Sequence, residues 1–406
     1  MSENKKFIPK RRFKEFQNAD AWEQRELGEV ADIVGGGTPS TSVKEFWDGN
    51  IDWYSPVEIG DKVFVNGSQK KITDLGFQKS SAQMLPAGTV LFTSRAGIGS
   101  TAILEKEACT NQGFQSVVPK ENLDTYFIYS RSHELKRYGE ITGAGSTFVE
   151  VSGKQMAKMP ILIPNIKEQR EIGNFFNNLD QTLAFQQRKL EKMKSIKSAY
   201  LSEMFPAEGE RKPKRRFPGF TDDWEQRELG EVADIFDGTH QTPKYISSGI
   251  KFVSVENIDT LDTEKYISEE AYNKEYSNKQ AEKGDVLMTR IGDIGTAKVI
   301  ETNDSLAYYV TLALLKPKGL DSYFLSNAIA TTTVQNSIWR RTLHIAFPKK
   351  INLGEISQVE LFVPTIDEQI KIGELFQNLD RTIAFQQQKL EKLQNIKKAY
   401  LNEMFI

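Results

Sequence analysis

Two stretches of the chain set apolar side chains at alternating steps of four and three residues. The first runs through Ile172, Phe176, Leu179, Leu183, Leu190, Met193, Tyr200 and Met204. The second runs through Ile372, Phe376, Leu379, Ile383, Leu390, Leu393, Tyr400 and Met404. Sustained over several heptads, that spacing predicts long helices with a coiled-coil seam, each beginning after a proline boundary at Pro164 or Pro364. Gln186 and Gln386 fall where the stripe calls for an apolar residue. Either they are polar core positions that fix register or partner at some cost in stability, or the seam drifts and they face solvent. About 37 helical residues make a rod of about 55 Å. Two such rods most simply pack on each other. Under a pseudo-two-fold they run antiparallel, with one module near each end, as a spacer that sets a distance.

The remaining sequence has a different texture. Residues 34–150 and 236–347 are rich in Val, Ile, Thr, Phe and Tyr, interrupted by Gly, Asn, Asp and Pro. This predicts mixed α/β modules with twisted sheets and many loops. Residues 87–104 and 283–300 correspond, each an apolar strand, a turn with two glycines and a second strand. Residues 206–218 are charged, proline-rich and aperiodic, hence a linker.

Repetition organises these parts. WEQRELGEVADI occurs unchanged at residues 22–33 and 224–235, and KRRFKEF at 10–16 is echoed by KRRFPGF at 214–220. Residues 163–205 and 363–405 are identical at 27 of 43 aligned positions. The chain is a duplication whose inserts have parted in sequence, as expected of a shared scaffold carrying two different binding surfaces. Drift without functional demand is the plain alternative.

Composition narrows the chemistry. At 406 residues the chain is long enough for two or three domains, and a hydrophobic fraction of 39% excludes global disorder. A net charge of −2 removes the simplest route to nucleic-acid binding, a globally basic chain. Each variable stretch is itself slightly acidic, so only local patches or partner proteins could supply phosphate contacts. One Cys and three His provide no disulfide framework and no metal-ligand spacing, which suits a cytoplasmic protein. The basic N-terminus has no apolar core and no long apolar run follows, so neither secretion nor a membrane span is expected. The glycine run at 35–37 lacks the downstream Gly-Lys-Ser/Thr of a P-loop, and no Asn/Asp-Pro-Pro-Tyr methyltransferase segment occurs. Glu134 and Lys136 form a nuclease-like pair without the preceding Pro-Asp strand, and a solvated helix face explains them better. Two basic groups stand out: Lys5, Lys6, Lys10, Arg11, Arg12 and Lys14, then Arg211, Lys212, Lys214, Arg215 and Arg216. They are read either as phosphate-contacting arms or as solvated, partner-binding linkers.

The order of these elements resembles the specificity subunit of type I restriction–modification systems. The resemblance rests on Trp22 with Leu27–Val30, Trp224 with Leu229–Val232, and repeated helices opening Pro-x-Ile-x-Glu-Gln; it covers essentially the whole chain. It implies an α+β fold, with two pseudo-symmetric mixed α/β target recognition domains separated by an antiparallel coiled coil of two long helices. The corresponding domains are 1–162 (arm and first recognition domain), 163–205 (central spacer helix), 206–221 (linker), 222–362 (second recognition domain) and 363–406 (C-terminal spacer helix). It further implies a non-catalytic subunit that reads a bipartite site in double-stranded DNA. Two methyltransferase subunits dock on it, and motor/nuclease subunits join the full complex. No cofactor is expected in this chain; S-adenosylmethionine and ATP with Mg belong to the partners.

Base edges are read by polar and basic side chains on exposed loops. In the first module the candidates are Thr38, Ser40, Lys70, Lys71, Ser94, Arg95 and Gln112. In the second they are Thr239, His240, Gln241, Thr242, Lys244, Arg290, Arg340 and Arg341. Arg95 and Arg290 are taken as equivalent positions, which points to phosphate anchoring or fold support. The competing reading is a coiled-coil adaptor with two protein- or ligand-binding modules and no DNA role. A cryptic nuclease at Glu134 and Lys136 ranks third.

Overall fold

The computed structural model describes residues 7–60, 62–95, 97–144 and 150–406. The chain divides into two compact units, Met1–Gln186 with Lys389–Ile406 and Gln187–Gln388. The division falls inside both long helices, so each unit holds one variable module together with a portion of each helix.

The helices are Ile166–Glu203 and Ile366–Met404. Their stripes are the sides turned inward. Ile172, Phe176, Leu190, Ile372, Phe376 and Leu390 are buried, and Leu179, Leu183, Met193, Tyr200, Leu379, Ile383, Leu393 and Tyr400 are half-buried. Gln186 and Gln386 are buried as well, so the seam does not drift into solvent at either glutamine. Within the first unit the helix portions run antiparallel. Phe176 stacks on Phe405 at 5.7 Å, Phe175 meets Tyr400 edge-on at 5.0 Å, and Asp180 accepts Lys397 at 2.5 Å. The second unit repeats the arrangement through Phe205 with Phe376 at 6.0 Å and Lys197 with Asp380 at 2.5 Å.

The first module is built on a five-stranded sheet. Its order is Ala31–Gly35, Gln115–Pro119, Val90–Phe92, Thr101–Leu104 and Phe64–Val65. Val90–Phe92 and Thr101–Leu104 are buried throughout, and accordingly read as apolar runs rather than as alternation. A three-stranded sheet of Lys70–Ile72, Trp47–Tyr54 and Cys109–Thr110 adjoins it. The second module has a four-stranded sheet, Ala233–Asp237, Leu312–Pro317, Val286–Ile291 and Asp293–Val299. Its three-stranded partner is Tyr266–Ile267, Ile250–Val253 and Leu306–Tyr308. The fold is α+β, with two pseudo-symmetric modules.

The repeated motifs form the joints between module and helix. Trp22 is buried edge-on against Phe127 and Phe405, and Trp224 against Phe205 and, tilted, Phe324. The strand after each tryptophan pairs with the strand entering the long helix: Glu23–Glu26 with Pro160–Ile163, and Glu225–Glu228 with Glu360–Val363. Glu168 receives a two-pronged bond from Arg12 at 2.8 and 2.5 Å, and Glu368 one from Arg216 at 2.8 and 2.7 Å. The next residue ties in the module. Gln169 accepts Asp124 N–H and donates to the Asn122 and Pro164 carbonyls, while Gln369 accepts Asp321 N–H and donates to the Pro364 carbonyl. At Gly173 and Gly373 a Cβ would sit 2.4 and 2.1 Å from the Asp124 and Asp321 carboxylates, so only glycine admits this approach. Among the described residues, no helix is long and apolar enough to cross a membrane.

Candidate nucleic-acid interface

On the first module several expected readers gather on one stretch of surface. Trp53 Nε1 donates to the Gly37 carbonyl at 2.8 Å and Gly37 N–H to Thr110 O at 2.9 Å, which pins the loop carrying Thr38 and Ser40. Thr38 donates its hydroxyl proton to the Gln112 side-chain oxygen. Trp47 donates to the Ser40 carbonyl at 3.1 Å, and the Lys70 ammonium lies 5.9 Å above the Trp47 ring. Arg95, half-buried, pairs with Glu150 through an isolated antiparallel backbone β-bridge. Lys71 is drawn elsewhere: with Lys106 it neutralises Asp52, at 2.7 and 2.8 Å. Burial raises the Asp52 pKa, but Lys106, Lys71 and Ser68 more than offset this and bring it down to about 2.

On the second module the loop after Ala233–Asp237 presents His240, Gln241, Thr242 and Lys244 to solvent. His240 Nε2 lies 2.6 Å from Asp237, whose carboxylate is also 3.7 Å from the Arg290 guanidinium. Arg340 and Arg341 lie on a separate helix, Thr332–Arg341. Arg340 pairs with Glu208 at 3.0 Å, and Arg341 turns back onto the Ser337 hydroxyl at 3.1 Å.

Three expected readers are enclosed instead. Ser94 is fully buried among strands, Thr239 folds its hydroxyl onto its own turn at Gln241, and Arg290 spends two N–H groups on the Ile351 and Val310 carbonyls. In this conformation none can reach a base edge; Thr239 and Arg290 support the loops around them. The equivalence of Arg95 with Arg290 is also corrected. Ser94 O accepts Val151 N–H at 3.0 Å and Arg290 O accepts Ile351 N–H at 3.0 Å, so Arg290 matches Ser94. Arg95 matches Ile291, each bridged one position further on, to Glu150 and Lys350.

Within the basic groups, four arginines have acidic partners. Arg12 and Arg216 are locked in nearly buried ion pairs, and Arg11 and Arg215 reach Glu403 and Glu203 at 2.5 and 2.6 Å. Arg12 and Arg216 thus clamp the arm onto the helix within each unit, whereas Arg11, Arg215 and the lysines Lys10, Lys14, Lys212 and Lys214 stay exposed. Lys5 and Lys6 lie outside the described residues. The signal that could have revealed the clamp was present, since Arg12 and Glu168 recur together as Arg216 and Glu368 in both copies. Glu134 is likewise structural, held by the buried Arg131 fork at 2.5 Å.

A family model described as the type I restriction modification DNA specificity domain matches the chain twice, over residues 19–195 and 221–395. The type I restriction enzyme MjaIX specificity subunit of Methanocaldococcus jannaschii is 25% identical over 291 residues, 67% of this chain and 66% of that one. The EcoR124I/EcoR124II specificity subunit of Escherichia coli is 32% identical over 167 residues, 39% of this chain and 41% of that one. The chain thus spans just under two thirds of the first relative's length and well under half of the second's. In fold, it is similar to the crystal structure of a type I restriction–modification S subunit from M. genitalium. The TM-score is 0.65 at 16% identity, covering 98% of this chain and 99% of that one.

Proposed function

Since the chain belongs to the type I restriction modification DNA specificity family, we propose that each variable module reads one half of a split site in duplex DNA. The observation that carries this reading is a contrast within the molecule. The joints Trp22, Arg12, Glu168 and Gln169 recur as Trp224, Arg216, Glu368 and Gln369, whereas the loops at 38–42 and 240–244 share only a Thr-Pro dipeptide, Thr38–Pro39 and Thr242–Pro243. A repeated frame holding unlike polar surfaces fits two different half-sites. Thr38, Ser40, Lys70, Arg95 and Gln112 would meet one, and His240, Gln241, Thr242 and Lys244 the other. The long helices act as the ruler between them. A helix of 38 residues is about 57 Å long, ample for half-sites about 34 Å apart along the duplex.

Identical partners need identical surfaces. Glu23–Glu26 and Glu225–Glu228 are the same four residues, exposed in both copies, and Phe185 and Phe385 are exposed at equivalent helix positions. Core packing does not demand such identity at exposed positions. It suits docking of two copies of one methyltransferase subunit, with motor/nuclease subunits joining that assembly. S-adenosylmethionine and ATP with Mg would then be held by those partners, and catalysis would take place there.

Exchanging residues 236–347 for those of a relative, followed by genome-wide mapping of methylated adenines, should alter one half of the methylated motif. A change in both halves, or in neither, would overturn the assignment of modules to half-sites. One heptad added to each long helix should widen the spacer by about 10 Å, or about three base pairs, and leave both half-sites unchanged. An unaltered spacer would sink the ruler.

A further inference from the structure

The loop that follows the helix Thr332–Arg341 has an apolar tip. Ile345 is 99% exposed and Phe347 104%, so neither side chain packs against anything. Single exposed apolar residues are ordinary; two fully exposed at one loop tip call for a partner.

The base of this loop is firmly held. Leu343 N–H donates to Lys350 O at 2.8 Å and Gly292 N–H to Lys349 O at 2.9 Å. The Trp339 ring lies 4.1 Å from that of His344, with the Lys349 ammonium 4.7 Å above it. The returning strand bonds to the Arg290 backbone through Ile351. Through its side chain, Arg290 also borders the Asp237–His240 loop that carries the candidate readers. The tip therefore projects from the rim of the proposed reading surface.

Charge decides what fits there. From 336 to 353 the chain carries Arg340, Arg341, Lys349 and Lys350 and no carboxylate, within a protein of net charge −2. Glu208 neutralises Arg340, which leaves Arg341, turned onto Ser337, before the tip and Lys349 and Lys350 after it. Apolar side chains bracketed by cations match stacked bases bracketed by phosphates.

We propose that Ile345 and Phe347 form a wedge that enters a base step in or beside the half-site read by the second module, with Lys349 and Lys350 on the adjoining phosphates. Phe, Ile and Pro are the side chains that proteins insert between base pairs to unstack and kink a duplex, and the tip reads Ile-Ala-Phe-Pro. The wedge adds selectivity without a base-edge contact, because pyrimidine–purine steps open most easily. The inference rests on the DNA-reading function proposed above.

The test uses the full chain assembled with its methyltransferase subunits, on a duplex bearing the mapped methylation motif with 2-aminopurine placed at each step in turn. One step apart from the methylated adenine should brighten several-fold. Phe347→Ala should abolish that signal and weaken binding by about tenfold, and Phe347→Trp should retain both. Lys349→Gln and Lys350→Gln should each reduce the slope of log affinity against log salt by about one. The thermal midpoint of Phe347→Ala should not move, because the ring touches nothing. The wedge is overturned if no step responds in the wild type, or if Phe347→Ala leaves both signal and affinity intact. It is also overturned if that variant sheds the methyltransferase subunits in the absence of DNA, which would make the tip a protein-docking element. If the wild-type assembly does not distinguish the motif from other duplexes, the recognition reading itself fails, whatever Phe347→Ala does.

Discussion

At the end of the central strand of each module the backbone makes the same two hydrogen bonds. Ser94 N–H donates to Gly113 O at 2.8 Å and Arg290 N–H to Thr311 O at 2.9 Å; their carbonyls accept Val151 and Ile351. The side chains at this shared point are unlike. The Ser94 hydroxyl is buried without a partner among the described residues, while the Arg290 guanidinium holds the Val310 and Ile351 carbonyls beside Asp237. Burial pulls the Arg290 pKa below its usual value, and Asp237 opposes that pull. A second shared point inverts charge outright. Tyr54 O accepts Asn111 N–H and Val253 O accepts Tyr309 N–H, which aligns the preceding strand residues Asp52 and Lys251. Asp52 is buried under two lysines, whereas Lys251 is half-buried and pairs with Asp262 at 2.6 Å. Backbone pairing and the helix joints specify the fold of each module, and side chains between those fixed points are free to differ even when buried. That freedom lets one scaffold carry two specificities.

The largest effects should fall on what the modules share. Glu168→Ala leaves the Arg12 guanidinium, 3% exposed, without its counter-charge, and breaking a buried pair in this way costs about 3–5 kcal/mol. Glu368→Ala should cost somewhat less, because Arg216 is 12% exposed. Denaturant unfolding of the full chain checks both; a loss below about 1 kcal/mol in either would mean that the clamp is not part of the frame. A smaller effect is expected where the modules differ. Arg290→Ser gives the second module the side chain of the first and strips donors from two carbonyls, at about 2–3 kcal/mol. If the second module tolerates serine there as the first does, the swap is neutral, and the two interiors are less distinct than their contacts imply.

Acid separates the modules next. Asp52 has a folded-state pKa of about 2, below its ordinary value of 3.8. A depressed carboxylate contributes fully above its unfolded pKa, so its contribution is complete above about pH 4 and is lost as pH falls through about 2. Asp52→Asn should flatten the acid-induced loss of stability in that window. Equal slopes for wild type and variant would show that the Lys71 and Lys106 contacts do not stabilise the folded state.

Much of this organisation was legible in the residues alone. Steps of four and three name the seam, and the twelve-residue repeat, together with the long one, names the duplication. The tryptophans are part of a repeated motif, so their role as joints is readable too. The readers were legible only by type. Ser94 and Thr239 are polar and lie near glycine-rich turns, which is where a base-reading residue would lie, yet the chain folds over them. Nothing local distinguishes a loop serine from one sealed beneath a neighbouring strand, because the seal comes from residues such as Gly113 and Val151, far along the chain. The clamp arginines failed for the opposite reason. A run of basic residues looks solvated unless its acid is known, and Glu168 lies 156 residues from Arg12.

The smallest predicted effect tests the comparison at its finest point. Ser94 carries a buried hydroxyl with no hydrogen-bond partner among the described residues, and such a group is desolvated without a compensating bond. Ser94→Ala removes one oxygen from that site and leaves the bonds of Ser94 N–H and O, which fix the strand, in place. The first module should therefore gain up to about 1 kcal/mol, read as a higher denaturation midpoint at unchanged slope. The second module offers the control, since the same truncation at Arg290 removes bonds that are made rather than missing and must destabilise. Opposite signs at one backbone position would establish that the two interiors are solved independently around a common frame. A loss of stability in Ser94→Ala would mean that its hydroxyl is engaged, and that the modules resemble each other here more than their contacts show.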